Sequence, residues 1–594
     1  MKKLVSIFCL LFVINLNAQD SRLAYSYFRK GEFTKSVVLY EELYKKNKRS
    51  VTYFNKLLRC YQELERYDEA TLLIENKRKK QVKHAYILVE LGYNYQLQNQ
   101  KEKAVSFYEK AIKMVEKDPN LAYLAGRSFQ ENHLLDYALE VYKKAMLLKP
   151  ALNFDIYIAN LYGEKGEVGL MFEAYLDMLA KKPNYLKNLQ RYIGNFITDD
   201  ALNNTNILFR RSILKRLQNN PNVVWNQLLS WLYMKQKEYS KALIQEKAVY
   251  KHSQENINVL FELATTSSQD KDYVSAMKTY LFIISNAHNT MDVIHAKNQL
   301  LLVETTIANN EEDYIKIEKQ YKALLKEYGN TSSTIETQIN YAGFLVFSKG
   351  KLEEAISVLT KAKEVATSKY QLGKIKMKLA DIFVFENKFN RALITYTQVQ
   401  TDLKGSEIAQ NARLKVATTS YYKGDFDWAK TQLKVLKSAT SKLIANDALK
   451  LNLLISDNIA GDTIRIALKK YAFAELLAYQ KKPKQAIDTL AVILNNYKGH
   501  AIEDEALLQQ AILYEGLGKF ELAKNNYLKI IQLKNSILLD DAYYALGELY
   551  KNKLKKSEKA KEMYQKIIFE HPNSIFVVSA RKKFRKLRGD QLNL

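Results

Sequence analysis

Ala70, Ala104 and Ala138 stand 34 residues apart, and Ser36 holds the same place one step earlier. Other residue types keep this register. Twelve residues before each anchor the chain carries Ala24, Leu58, Gly92 and Gly126; nine before it, Tyr27, Tyr61, Tyr95 and Phe129; four after it, Tyr40, Ile74, Tyr108 and Tyr142. Ala111 and Ala145 follow their anchors by seven, and Pro150 follows Ala138 by twelve. Small and aromatic places at such offsets describe a unit of two antiparallel amphipathic helices that cannot bury its apolar face alone. Helix axes approach closely only where a side chain is tiny, and the aromatics fill the space between one pair and the next. Each buried aliphatic or aromatic side chain contributes roughly 1.5–3 kcal/mol. Several per unit are needed against an ordering cost of about 1–2 kcal/mol per residue.

This register resembles the tetratricopeptide repeat. The resemblance implies an all-α fold, a solenoid of helical hairpins in a right-handed superhelix, with about 13–15 repeats of which some are degenerate. Only 19 Gly and 6 Pro in 594 residues agree with a helical chain.

The N-terminal block is expected over 20–184. Its fifth anchor place holds Met171, with Ala159 and Tyr162 before it and Pro183 after it, and methionine there predicts looser packing. Residues 185–329 combine an eroded unit over 184–221, regular units anchored on Ala242 and Ala276, and a looser helix pair over 292–328. The turn Gly329-Asn330-Thr331-Ser332-Ser333 offers a soft boundary. A C-terminal block over 330–594 changes period: Ala355, Ala392 and Ala429, then Ala486, Ala523 and Ala560, stand 37 apart. The 57 residues between Ala429 and Ala486 leave room for one extra helix near 444–459, closed by Gly461-Asp462.

Residues 1–19 read as a secretory signal peptide: Lys2 and Lys3, an apolar run from Leu4 to Ile14, and Leu16-Asn17-Ala18 before the cut. The run is too short to span a bilayer comfortably. Cys9 follows Phe8, so the small residue that a lipoprotein cut requires is missing. Removal of the leader leaves Cys60 as the one cysteine, read as a buried small hydrophobe. Net charge is +27. Most of it is dispersed over helix faces, with one dense cluster, Arg581, Lys582, Lys583, Arg585, Lys586 and Arg588.

Glu570-His571-Pro572-Asn573-Ser574, followed by Ala580 and Leu587, resembles the repeat ending of two periplasmic proteins. These are the Tol-Pal-associated coordinator and the tetratricopeptide lipoprotein of the outer-membrane β-barrel assembly machine. Asn535-Ser536 leading to Asp541-Ala542, Gly499-His500 leading to Asp504-Glu505-Ala506, and Ser406 leading to Ala412 share this style. The likeness covers roughly the last third of the chain. This chain departs from that pattern: it has no lipobox cysteine and no N-terminal coiled coil of the coordinator type, and the array is far longer than either relative.

No glycine-rich phosphate loop, HExxH, GxSxG or cysteine pair at metal spacing occurs. No catalytic, cofactor or metal residue is therefore assigned, and the chain is read as no enzyme. His288, Asp292 and His295 have the spacing of one helical face, but 286–290 reads as a turn.

In this superfamily the first helices line a concave groove. The resemblance puts Tyr25, Arg59, Tyr93, Arg127 and Asn160 on its wall, and three residues further on Phe28, Gln62, Gln96 and Gln130. Gln62, Gln96 and Gln130 recur at 34-residue intervals, so their amides can hydrogen-bond the backbone of an extended segment, with stacking and charge from Tyr93 and Arg127. The plainer alternative is a solvated polar face. In the C-terminal block the same face carries Phe344, Phe347, Phe385, Tyr421 and Tyr422, either as an apolar groove or as packing between repeats. The functional expectation is an exported adaptor of a bacterial cell envelope that binds protein segments. The alternative is a basic binder of an anionic polymer or membrane surface, with nucleic acid disfavoured by export.

Overall fold

The computed structural model describes residues 20–80, 84–253, 257–439, 441–459, 465–533 and 536–589, and among them the regular elements are all helices. The expected leader, the turn at Gly461-Asp462 and Asn535 lie outside the described residues. The chain forms two compact units. One runs to Thr198 and includes Asn204–Leu228; the other comprises Asp199–Asn203 and Leu229–Leu594. The fold is the expected all-α array of helical hairpins.

The first unit opens with α1 (20–29) and α2 (Phe33–Lys46), then α3 (Val51–Glu63) and α4 (Tyr67–Lys80), α5 (Ala85–Leu97) and α6 (Lys101–Lys117), α7 (Ala122–Glu131) and α8 (Leu135–Leu148), and α9 (Asp155–Glu164) and α10 (Val168–Lys181). The first helices pack on their own second helices, and α5 packs both on α6 and on the next first helix, α7. The anchors lie at the closest approaches: Ser36, Ala70, Ala104 and Ala138 are buried, and so are Tyr40, Ile74, Tyr108 and Tyr142. The small place twelve before the anchor faces the ring four after it. A Cβ on Gly92 would sit 2.5 Å from Tyr108 Cε1, and one on Gly126 would sit 2.4 Å from Tyr142 Cζ. Real Cβ atoms do not approach so closely, so glycine is what lets the two helices and the ring share this space.

Met171 does not loosen the fifth unit. It is buried, and the missing volume has moved to Gly163, where a Cβ would lie 3.1 Å from the Met171 sulfur. A flexible thioether fills the gap that a small anchor would leave.

The turn inside each anchored hairpin repeats with greater regularity than any side chain. The residue five before the anchor has positive φ at Gly31, Glu65, Asn99, His133 and Gly166 in the first unit. The second unit repeats this at Lys237, Lys271, Gly350, Asn387, Gly424, Lys481, Gly518 and Lys555. At Glu65 two backbone bonds lock it: its N–H donates to the Gln62 carbonyl at 3.1 Å, and the Arg66 N–H donates to the Tyr61 carbonyl at 2.8 Å. The same pair recurs at Asn99 and Gln100 and at His133 and Leu134. These bonds satisfy carbonyls that the end of the first helix leaves without intrahelical partners.

In the second unit the anchors Ala242, Ala276, Ala355, Ala392, Ala429, Ala486, Ala523 and Ala560 are all buried. The longer period is absorbed in two ways. First helices Lys369–Phe385 and Glu407–Lys423 have 17 residues, against 13 in α3 and α5. First helices Glu503–Gly516 and Leu539–Asn552 have 14, so there the surplus falls in connections such as 497–502. A helix Lys442–Asp457 stands between the Ala429 and Ala486 hairpins. After it, the helix Ile466–Tyr479 packs on Glu407–Lys423. An apolar core runs through the turn at Gly329, joining Leu301, Ile317, Tyr321 and Leu324 to Ile335, Tyr341, Phe344 and Leu345.

Candidate functional site: the first-helix cleft of the N-terminal unit

Two adjoining pockets, of 430 and 290 Å³, open between the first helices of the N-terminal unit. They share Thr52, Asn55, Glu90, Arg127 and Glu131. Phe28 and the cations Lys56 and Arg59 line one end; His84, Tyr86 and Leu124 line the other. Thr52, Asn55, Lys56 and Arg59 fall at i, i+3, i+4 and i+7 on α3, which is one helical face. Ser50 starts that helix, its hydroxyl accepting from the Tyr53 N–H at 3.2 Å.

Glu90 is the pivot. It is buried, takes the Arg59 guanidinium at 3.3 Å, and accepts from the Ser128 hydroxyl at 2.7 Å and the Asn132 amide at 3.4 Å. Arg59 also donates to Gln62 Oε1 at 2.8 Å and lies over the Tyr93 ring at 5.2 Å. Arg127 pairs with Glu131 at 2.8 Å on the exposed lip. Lys56 makes no ion pair among the described residues; its ammonium stands 3.9 Å from the Phe28 ring centroid and 5.6 Å from that of Tyr25. Burial pushes the Lys56 ammonium below its ordinary range, opposed by the charge of Glu131. A partly desolvated cation on an aromatic floor gains from an anion that enters the cleft.

The residues expected on the groove wall separate into two sets. Arg59 and Arg127 line the cleft, Tyr93 supports Arg59, and Tyr25 is exposed beside Lys56. The amides are engaged elsewhere. Gln62 is buried and approaches Asn94 Oδ1 at 3.5 Å, Gln96 accepts from the Tyr108 hydroxyl at 2.9 Å, and Gln130 donates to Glu164 at 2.5 Å. Asn160 accepts from the Tyr175 hydroxyl at 2.6 Å. The 34-residue recurrence of these glutamines reflects bonds between helices as much as any open face. Lys56 and Glu90 share the place fourteen before the anchor, where the neighbouring units carry Arg22 and Leu124. No residue type repeats there, so no periodic signal marks it.

The other candidates resolve simply. Cys60 is fully buried, its sulfur 3.5 Å from the Ser36 hydroxyl, and burial pushes its thiol above the ordinary range. His288 precedes the cap Asn289 of the helix Thr290–Ile307, so it does not share a helical face with Asp292 and His295. His295 packs on Phe261, and burial lowers its pKa. Among the described residues no group of three or more His, Cys, Asp or Glu side chains is placed to hold a metal. In the second unit Phe344 and Tyr421 are buried, and Phe347, Phe385 and Tyr422 close on Tyr479 at 5.7, 6.4 and 6.4 Å between ring centroids. These aromatics are packing between repeats.

Models of the tetratricopeptide repeat match residues 85–118, 504–537 and 541–574. The first match spans the α5–α6 hairpin that carries Glu90; the matched stretches are tetratricopeptide repeats, a repeat type that generally forms scaffolds for protein–protein interaction. No curated protein matches the chain. Among solved structures it is similar to that of Naa15/Naa10 bound to HypK-THB, at 13% identity over 97% of each chain with a TM-score of 0.29. It is also similar to the APC/C hetero-tetramer Cut9-Hcn1, at 13% identity over 97% of this chain and 98% of that chain with a TM-score of 0.22.

Proposed function

We propose that this protein is an exported, non-enzymatic scaffold of a bacterial cell envelope that holds an extended protein segment in the first-helix cleft, with an acidic side chain of that segment on Lys56 and Arg127. The apolar run of the leader supports export, and the repeats support protein binding. The observation that carries the reading is Lys56, a partly buried ammonium on the Phe28 ring, within a cleft whose two arginines already hold carboxylates. A carboxylate entering the cleft meets cations whose side chains are positioned before it arrives, which limits the entropy lost on binding.

The test places a photo-crosslinking side chain at Asn55, inside the cleft, and at Leu72, exposed on α4. A discrete adduct from position 55, weaker from position 72 and lost on Lys56→Glu with Arg127→Glu, supports the reading. Equal adducts from both positions, or adducts indifferent to the double substitution, refute it. Export is read from the amino terminus of the protein recovered from cells. A chain that still begins at Met1 overturns that part.

A further inference from the structure

The last two repeats carry an edge that the cleft does not explain. Ile537, Phe569, Ile575 and Val578 are 67%, 71%, 87% and 78% exposed. All four lie at the turns that join one repeat to the next: Ile537 before the helix Leu539–Asn552, Phe569 at the end of Ser557–Glu570, Ile575 in the turn that follows, and Val578 in the first turn of Val577–Arg588. Isolated exposed apolar side chains are ordinary, but four large ones along one edge are not.

The helix that begins at Val577 contains no acidic residue. Val577, Ala580, Phe584 and Leu587 hold it against the preceding repeat. Two of its lysines are engaged: Lys583 binds Glu548 at 2.5 Å and Tyr544 at 3.0 Å, and Lys582 pairs with Asp199. Arg581, Arg585 and Lys586 are exposed and make no ion pair among the described residues. Val578, Arg581 and Arg585 follow at i, i+3 and i+7, so the apolar edge runs directly into the basic face.

From this juxtaposition we infer that the edge docks on an anionic lipid bilayer, with Ile537, Phe569, Ile575 and Val578 at the level of the acyl boundary and Arg581, Arg585 and Lys586 among the headgroup phosphates. Charge complementarity identifies the lipid as anionic. The bulky aliphatic side chains distinguish a bilayer from a nucleic acid, which offers no apolar layer to receive them. Among the described residues no helix is long and apolar enough to cross a membrane, so the contact is peripheral. It is independent of the cleft.

The test uses the chain from Asp20 onward, because an attached apolar leader would itself partition into lipid. Its readout is co-sedimentation with vesicles of phosphatidylglycerol and phosphatidylcholine, and with vesicles of phosphatidylcholine alone. Binding is expected to the mixed vesicles only. It should weaken steeply as the Debye length falls from about 10 Å toward about 3 Å. Each cation contributes roughly five-fold to partitioning, so Arg581→Ala, Arg585→Ala and Lys586→Ala together should reduce it roughly a hundred-fold. Ile575→Asp with Val578→Asp should abolish it, and both substitutions lie on exposed surface, so helicity should be unchanged. Absence of sedimentation at low salt overturns the inference, as does equal binding to neutral vesicles. So does binding that survives Ile575→Asp with Val578→Asp and is competed away by DNA; that result assigns the face to a polyanion.

Discussion

Replacement of Gly126 by alanine tests the packing rule on which the array rests. The new Cβ would meet Tyr142 at 2.4, 2.6 and 2.9 Å, at Cζ, Cε1 and Cε2. Tyr142 cannot swing aside: it is fully buried, with Phe154 at 4.8 Å and Tyr157 at 5.5 Å between ring centroids. Overpacking of a filled core costs about 1–3 kcal/mol, and a clash with the body of a ring belongs in the upper part of that range. Alanine recovers about 1 kcal/mol of helix propensity. The net loss is therefore about 1–2 kcal/mol. Gly516→Ala is the matched control, since nothing lies within 4 Å of its added Cβ; it keeps the propensity gain and should be neutral or stabilising. A long repeat array is not a two-state system, so the measurement is amide hydrogen exchange read by peptide. Exchange over 122–148 should accelerate about 5- to 30-fold in Gly126→Ala. Peptides over 503–532 should be unchanged, because repeats couple chiefly to their neighbours. If Gly126→Ala leaves exchange over 122–148 unchanged or slower, the close approach does not set the register.

The left-handed turn gives a second prediction. His133→Gly or Lys271→Gly should stabilise the local hairpin by up to about 1 kcal/mol, the relief of a non-glycine left-handed residue less the added freedom of the unfolded chain. Gly31→Ala should cost about 1 kcal/mol, and amide exchange over the affected hairpins left unchanged in these variants would count against it. Arg59→Ala strips the buried Glu90 of its guanidinium and should cost about 1–3 kcal/mol, shown by faster exchange in α5. Addition of Glu90→Gln should recover part of the loss, and a double variant no better than the single one refutes the pairing argument. Burial, aided by Asp504, pushes Glu505 from 4.5 up to about 9. The folded chain therefore keeps a proton that the unfolded chain releases, and stability should fall as pH rises from 4.5 toward about 9. Glu505→Gln should flatten that slope in the exchange protection of 503–516 followed against pH, whereas parallel curves would dismiss the proton.

Much of the fold is written in the chain because steric demands leave periodic marks. Only a small residue fits where two helices cross, so Ala70, Ala104 and Ala138 advertise the crossing. The hairpin turn leaves no such mark. Glycine, glutamate, asparagine, histidine and lysine all occupy its left-handed position, because backbone hydrogen bonds hold the conformation and no side chain is required. The cleft is legible only in part. Arg59 and Arg127 occupy a repeated place on the first helices and stand in the cleft. Gln62, Gln96 and Gln130 also repeat, but their amides satisfy polar groups within the scaffold, which is equally periodic. Lys56 and Glu90 escape a periodic reading because a binding surface gains from differing between repeats. The expectation for Met171 failed for another reason: the compensating volume was taken from Gly163, a change that a rule about one position cannot see.

The constant interval between the left-handed turn and the anchor divides each anchored repeat into a part that is gauged and a part that is free. Between those two points no residue has been added or removed as the period passes from 34 to 37. The surplus appears only upstream, as another turn of the first helix, or downstream, in the link to the next hairpin. Like a screw cut with one fixed tooth profile and an adjustable lead, the array can alter its advance per repeat while every tooth still meshes with its neighbour.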